Sequence, residues 1–137
     1  MSFEGGCLCG AIRYRIARKH LNAVHCYCGM CRKAHGTAFS THAVARPDQI
    51  EWLQGEGSLV SYESSPGAHR AFCPVCGTHL LVHGQTGDGT FAVPAGTLDD
   101  DPALTLIGHI FTADRVSWFE IADSLPQHAG WPPGVAG

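Results

Sequence analysis

Gly6-Cys7-Leu8-Cys9-Gly10-Ala11-Ile12-Arg13-Tyr14-Arg15-Ile16 carries two signals that decide how the chain folds. In its second half the apolar Ile12, Tyr14 and Ile16 alternate with Arg13 and Arg15, a period of two that predicts a strand with one wet face. In its first half two cysteines stand one residue apart, a spacing that on a strand points both sulfurs to the same side. The pair has counterparts further on. Cys26-Tyr27-Cys28, Cys28-Gly29-Met30-Cys31 and Cys73-Pro74-Val75-Cys76 take up the other five of the chain's seven cysteines, and none falls outside these clusters. Thiolates bunched at one- and two-residue gaps are arranged to share a soft metal ion, zinc above all. Four sulfurs close a tetrahedral site; the other three match the ligand count of a zinc site that keeps a position open for chemistry.

The period of two continues along the chain. Strands are predicted at 21–25, 37–45, 50–53, 59–63, 69–72, 78–83, 90–94, 109–112 and 117–121. Turn chemistry separates them at Arg46-Pro47-Asp48, Gly55-Glu56-Gly57, Ser65-Pro66-Gly67 and the run Gly84-Gln85-Thr86-Gly87-Asp88-Gly89. Helix has room only for a turn or two at 29–35, stopped by Gly36, and for a short turn after Asp101-Pro102. Many short strands with frequent turns predict a mainly β fold with minimal helix. The 137 residues fit one domain, 1–137, with an irregular tail from about Gln127. A chain of that size buries roughly two thirds of the surface it exposes when unfolded, so its core does not depend on metal for lack of size.

Nine Lys and Arg against twelve Asp and Glu give a net charge of −3 and a pI near 6.3. No basic face for phosphates arises from that balance, which argues against a nucleic-acid partner. No apolar run is long enough to cross a bilayer. The opening Met1-Ser2-Phe3-Glu4 lacks the basic and apolar regions of a secretory signal. An odd cysteine count without such a signal points away from a disulfide framework and toward reduced, metal-bound thiols in the cytoplasm. Oligomeric state leaves no trace in the sequence.

Each cluster has its own character. Cys73-Pro74-Val75-Cys76-Gly77 reads as a zinc knuckle, with Pro74 fixing one φ and Gly77 free to take a positive one. Joined with Cys7 and Cys9 it supplies four thiolates from distant segments, a structural zinc that staples the N-terminal part of the chain to its middle. Cys26, Cys28 and Cys31 lie within six residues, so one loop can wrap a second metal whose fourth position falls to water, substrate, His25 or His35. Three thiolates around a dication leave one net negative charge. Arg32 next to it is either an anion contact or plain surface, and Lys33 reads as solvated surface. The thioredoxin-type redox reading of the C-x-x-C pairs asks for a long helix in a βαβ setting, and neither pair has one.

The residues also carry a resemblance. Gly6-Cys7-Leu8-Cys9-Gly10, His25 through Gly36, Arg70-Ala71-Phe72-Cys73 through Thr78, Gly96-Thr97-Leu98-Asp99, His109-Ile110-Phe111, Trp118-Phe119 and Asp123-Ser124-Leu125-Pro126 are similar, in order, to the motifs of the glutathione-dependent formaldehyde-activating family. That family has centromere protein V among its eukaryotic relatives. The resemblance implies a β-tent zinc-binding fold of several short antiparallel sheets. It implies a structural zinc on Cys7, Cys9, Cys73 and Cys76, and a functional zinc on Cys26, Cys28 and Cys31. It also implies carbon–sulfur lyase chemistry, in which a small thiol such as glutathione adds to an aldehyde such as formaldehyde. Arg32, His35, Phe39 and Trp118 are the residues expected to line the substrate pocket. The competing expectation is a zinc-binding interaction module without catalysis, for which a protein side chain in the fourth position of the second site would speak.

Overall fold

The alternation over 12–16 becomes β2 (Arg13–Ile16) in the computed structural model, which describes residues 1–135. It pairs antiparallel with β1 (Phe3–Gly6) on one side and β5 (Ile50–Gln54) on the other, forming a three-stranded sheet. Ile12, Tyr14 and Ile16 are fully buried, as their spacing requires. On the wet face Arg15 reaches Glu4 and Glu51 at 3.2 Å each, and Arg13 pairs with Asp99. Exposed pairs of this kind contribute at most about 1 kcal/mol apiece. Strand β1 has no counterpart among the predicted strands, because two of its four residues are glycines with poor strand propensity. Packing decides instead. A Cβ on Gly5 would lie 2.5 Å from the Tyr14 hydroxyl, so the strand closes over that ring only because Gly5 has no side chain.

The larger sheet has seven strands: β3 (Leu21–Cys26), β4 (Ser40–Ala45), β6 (Val60–Ser65), β7 (Ala68–Phe72), β8 (His79–His83), β9 (Phe91–Pro94) and β10 (Leu104–Ile110). Their order across the sheet is β10-β3-β4-β9-β8-β7-β6. The β10–β3 pair is parallel and the other pairs are antiparallel. Side chains alternate between two faces, and the two faces have different uses. Leu21, Ala43, Ala45, Ala71, Leu81 and Val93 join Ile12, Tyr14 and Ile16 in the main core. The alternate positions Val24, Cys26, His42, Val44, Arg70, Val82 and Ala92 line a cavity. One α-helix, α1 (Gly29–His35), follows β3.

The mainly β prediction holds, and several of its elements differ in place or are absent. Strand β10 begins five residues ahead of the predicted 109–112, and the residues after Asp101-Pro102 are irregular rather than helical. The predicted strand at 117–121 is absent: Ser117 and Trp118 form a turn, and no ladder partner lies beside the segment among the described residues. Its apolar residue is used as a plug instead, with the Phe119 ring 5.1 Å from Phe39 and 6.3 Å from Tyr27. Strand β4 starts at Ser40 rather than 37 because Gly36 and Thr37 close the helix, both N–H groups donating to the Arg32 carbonyl. No described helix is long and apolar enough to cross a membrane.

Candidate metal centres

Cys7 and Cys9 fall in the turn between β1 and β2, closed by a Gly10 N–H to Cys7 carbonyl bond of 3.0 Å. Cys73 and Cys76 fall in the turn between β7 and β8. There Gly77 takes φ +79° and its N–H donates to the Cys73 carbonyl at 2.8 Å, the left-handed turn its lack of Cβ permits. The four sulfurs lie within 4.8 Å of one another. Cys7 Sγ is 3.6 Å from Cys9 Sγ, which is 3.8 Å from Cys73 Sγ. A tetrahedral zinc with bonds of about 2.3 Å separates its sulfurs by about 3.8 Å, so the cluster fits that ion. Its donors are organised for thiolates. The Ile12 N–H donates to Cys7 Sγ at 3.3 Å. The Thr78 hydroxyl, 3.2 Å from Cys76 Sγ, helps bring that thiol down to about 5. Cys7 and Cys73 are buried within the main core, so this centre is part of the packing.

The second cluster is built by one strand end and one helix start. Cys26 is the last residue of β3, and Cys28 is the N-cap of α1, its sulfur accepting the Cys31 N–H at 3.3 Å. Gly36 ends the helix at φ +63°, its N–H on the Arg32 carbonyl at 2.8 Å. The sulfurs of Cys26, Cys28 and Cys31 lie within 4.8 Å of one another. Hydrogen bonds from Cys26 and then Cys28 push the Cys31 thiol down, as they must if one sulfur of a close trio is to ionise first. Each of the two clusters can hold a metal ion, and no other such group occurs among the described residues.

No fourth ligating side chain joins the trio among the described residues. His25, one of the expected candidates, has its Nδ1 2.7 Å from the Thr41 hydroxyl and its ring beside Phe39 and His109. His35, the other, packs against His42 and His79, and burial followed by the His42 charge lowers it to about 4. The nearest imidazole is one that sequence reasoning missed. Buried His42 on β4 holds its Nε2 3.8 Å from Cys31 Sγ and 2.7 Å from Ser40 Oγ.

A cation was missed as well. Arg70 on β7 is 6% exposed, and its Nη2 donates to Cys31 Sγ at 3.6 Å. No carboxylate pairs with it among the described residues, so the sulfurs are its counter-charge. Strand pairing places it there: Arg70 faces the sheet side that also carries Cys26 and His42, thirty-nine residues beyond Cys31. Only a tertiary contact signals it, since in sequence it is one polar residue in a period-two strand.

Behind the sulfur loop a chain of hydrogen bonds running inward from the exposed Asp123 fixes Tyr27, the residue between Cys26 and Cys28. Asp123 accepts from His109 Nε2 at 2.9 Å, which assigns the proton to Nε2 and leaves Nδ1 to accept from the Tyr27 hydroxyl at 2.8 Å. Tyr27 is 0% and His109 2% exposed. The loop is thereby pinned from its back while its sulfurs face forward.

In front of the sulfurs lies a cavity of about 330 Å³ whose lining includes Cys26, Cys28 and Cys31. Arg32, His35, Phe39 and Trp118 do not line it. On α1, Met30 and Cys31 face the cavity. Arg32 is half-buried with its Nε unpartnered, and Lys33 is exposed as expected. Phe39 meets His25 edge-on and lies tilted against Tyr27 behind the loop, and Trp118 is 71% exposed. The side chains that do face the sulfurs come from the sheet, where residues distant in sequence are brought into register.

The model of the glutathione-dependent formaldehyde-activating enzyme family matches residues 2–114. A Halomonas elongata protein, provisionally named a glutathione-dependent formaldehyde-activating enzyme, is 29% identical across 96% of this chain and 90% of its own. An uncharacterized lyase of Schizosaccharomyces pombe is 24% identical across 88% of this chain and 86% of its own. A crystal structure of a Rhodobacter sphaeroides protein superposes with a TM-score of 0.59 at 21% identity, covering 75% of this chain and 98% of the other, a likeness of fold alone. With the seven cysteines placed in two clusters and the family model spanning both of them, the chain belongs to the glutathione-dependent formaldehyde-activating enzyme family.

Proposed function

We propose that the chain is a zinc-dependent lyase-type enzyme that makes or breaks the carbon–sulfur bond of a thiol–aldehyde adduct. In the forward sense a thiol, R–SH, adds across the carbonyl of an aldehyde, R′–CHO, to give R–S–CH(OH)–R′; the reverse releases both. A glutathione-like thiol and formaldehyde are the pair to which the family's name and that of the Halomonas relative point. The observation that carries the reading is the trio Cys26, Cys28 and Cys31, with no fourth side-chain ligand among the described residues, lining a cavity. Zinc held there supplies an open coordination position, where a thiol is kept as thiolate or a carbonyl oxygen is polarised.

The chain's own groups divide the remaining work. Arg70 sets a positive charge beside Cys31 and offsets the net negative charge of a three-thiolate set. His42, whose Nε2 is the ring nitrogen facing Cys31, takes the thiol proton and returns it to the oxygen of the adduct. The apolar cavity keeps water from the sulfur, and the Asp123–His109–Tyr27 chain holds the ligand loop in position. Uncatalysed thiol addition to formaldehyde is already facile, so holding both reactants together is a large part of the contribution. The alternative, a zinc module without catalysis, is supported by no side chain in the fourth position.

Zinc-edge X-ray absorption tests this. Seven sulfurs over two zinc ions average 3.5 per metal, and a bound thiol raises the average to 4. A histidine nitrogen in the fourth position, unmoved by added thiol, would favour the module.

A further inference from the structure

Beyond its sulfurs, the cavity is walled by Val24, Val44, Val82, Ile110, Phe111 and Trp131. Its charged members are Arg70 and Asp88. Arg70 is already engaged by the sulfurs: Nη2 is on Cys31, and Nε and Nη1 are buried without a hydrogen-bond partner. Asp88, exposed on the turn between β8 and β9, has its carboxylate held by the Thr86 hydroxyl at 2.6 Å and the Thr90 N–H at 2.9 Å. Apart from the His42 imidazole beside Cys31, the cavity therefore offers an entering molecule one anion and no free cation. Glutathione carries two carboxylates and one ammonium, and a charge set unpaired against an apolar wall is strongly disfavoured.

Size and shape agree with an apolar guest. An apolar cavity of roughly 150 Å³ takes up benzene, and this one has about 330 Å³. Phe111 and Trp131 meet edge to face at 5.1 Å on one wall, a surface on which a further aromatic ring packs well.

We infer that the cavity takes an uncharged apolar body, aryl or medium-chain alkyl, attached to the thiol or the aldehyde, in preference to the charged tripeptide. The inference rests on the lyase reading for the identity of the reacting groups. The apolar wall itself is independent of that reading.

Calorimetric titration of the zinc-loaded full chain separates the possibilities, with 2-phenylethanethiol, phenylacetaldehyde and glutathione as probes. At least one aryl probe binds tenfold or more tightly than glutathione, and which of the two does so tells whether thiol or aldehyde brings the apolar body. Trp131→Ala weakens aryl binding about tenfold and leaves glutathione within twofold. Because that change could loosen the C-terminal segment, Val44→Thr, which keeps the shape and adds a hydroxyl, is the second variant and weakens aryl binding several-fold. Asp88→Asn strengthens glutathione binding and leaves the aryl probes unchanged. Glutathione binding more tightly than both aryl probes, no aryl binding, or aryl binding indifferent to both wall variants overturns the inference. Tight aryl binding without any thiol–aldehyde exchange would instead overturn the lyase reading and leave this one standing.

Discussion

Replacing Cys73 by serine should unfold the protein. Cys73 is 1% exposed within the main core, and its sulfur lies 3.8 Å from Cys9, sixty-four residues earlier. A cross-link closing a loop of that length removes chain entropy from the unfolded state equivalent to about 4 kcal/mol. Structural zinc sites supply about 10–16 kcal/mol of apparent binding free energy in small peptides. A domain's whole net stability is about 5–15 kcal/mol. A serine hydroxyl is a poor zinc ligand and leaves a polar group in the apolar core, so both contributions are lost together. At about 3–5 °C per kcal/mol for a chain of this size, the entropy share alone lowers the melting temperature by about 12–20 °C. Soluble yield, thermal unfolding followed by circular dichroism and zinc content by mass spectrometry report the outcome. A soluble Cys73→Ser protein melting within a few degrees of wild type would refute the assignment of a structural centre.

Cys28→Ser should behave differently: its cluster spans six residues and packs in a small satellite core with Ile110, so the variant keeps a native dichroism spectrum and about one zinc; unfolding as severe as that of Cys73→Ser would make both centres structural. Tyr27→Phe leaves the buried His109 Nδ1 without a donor, a cost of about 1–3 kcal/mol, and should lower the melting temperature by several degrees and release one zinc at lower chelator concentration; unchanged values for both would remove the Asp123–His109–Tyr27 chain from the support of the loop. Burial lowers His35 from 6.5 to about 4 in the fold, so its neutral form is the folded one. Its stabilising share is complete above pH 6.5 and is lost as pH falls toward 4, roughly 2 kcal/mol after allowance for partial exposure. A chemical-denaturation series over that range should show the decline in wild type and a flatter profile in His35→Gln.

Both cysteine clusters were legible in the sequence because thiolates that can share a metal sit at short fixed spacings, and local turns hold those spacings whatever the distant chain does. The β character was legible for a similar reason: Ile12, Tyr14 and Ile16 record their burial in a period of two. Strand β1 was not, since Gly5 takes its place through contact with Tyr14, and no propensity encodes a missing side chain. The segment 117–121 has strand-like alternation, but strand formation needs a neighbour for its backbone, and Phe119 is claimed by the aromatic group around Phe39. The surroundings of the trio failed for the most physical reason. Arg32 and His35 are its neighbours along the chain, whereas Arg70 and His42 are its neighbours across the sheet. Sheet register, which joins residues tens of positions apart, is decided by the whole core and leaves no mark beside the cysteines.

Exchange between a free thiol, an aldehyde and their hemithioacetal can be followed by NMR exchange spectroscopy at matched pH, with and without the zinc-loaded chain. Glutathione with formaldehyde and 2-phenylethanethiol with phenylacetaldehyde are the pairs to compare. Acceleration of at least one pair, abolished in Cys28→Ser while that variant keeps its fold and its other zinc, is the result the account predicts. Exchange rates equal to those of buffer for every pair, in a chain carrying two zinc ions, would contradict it.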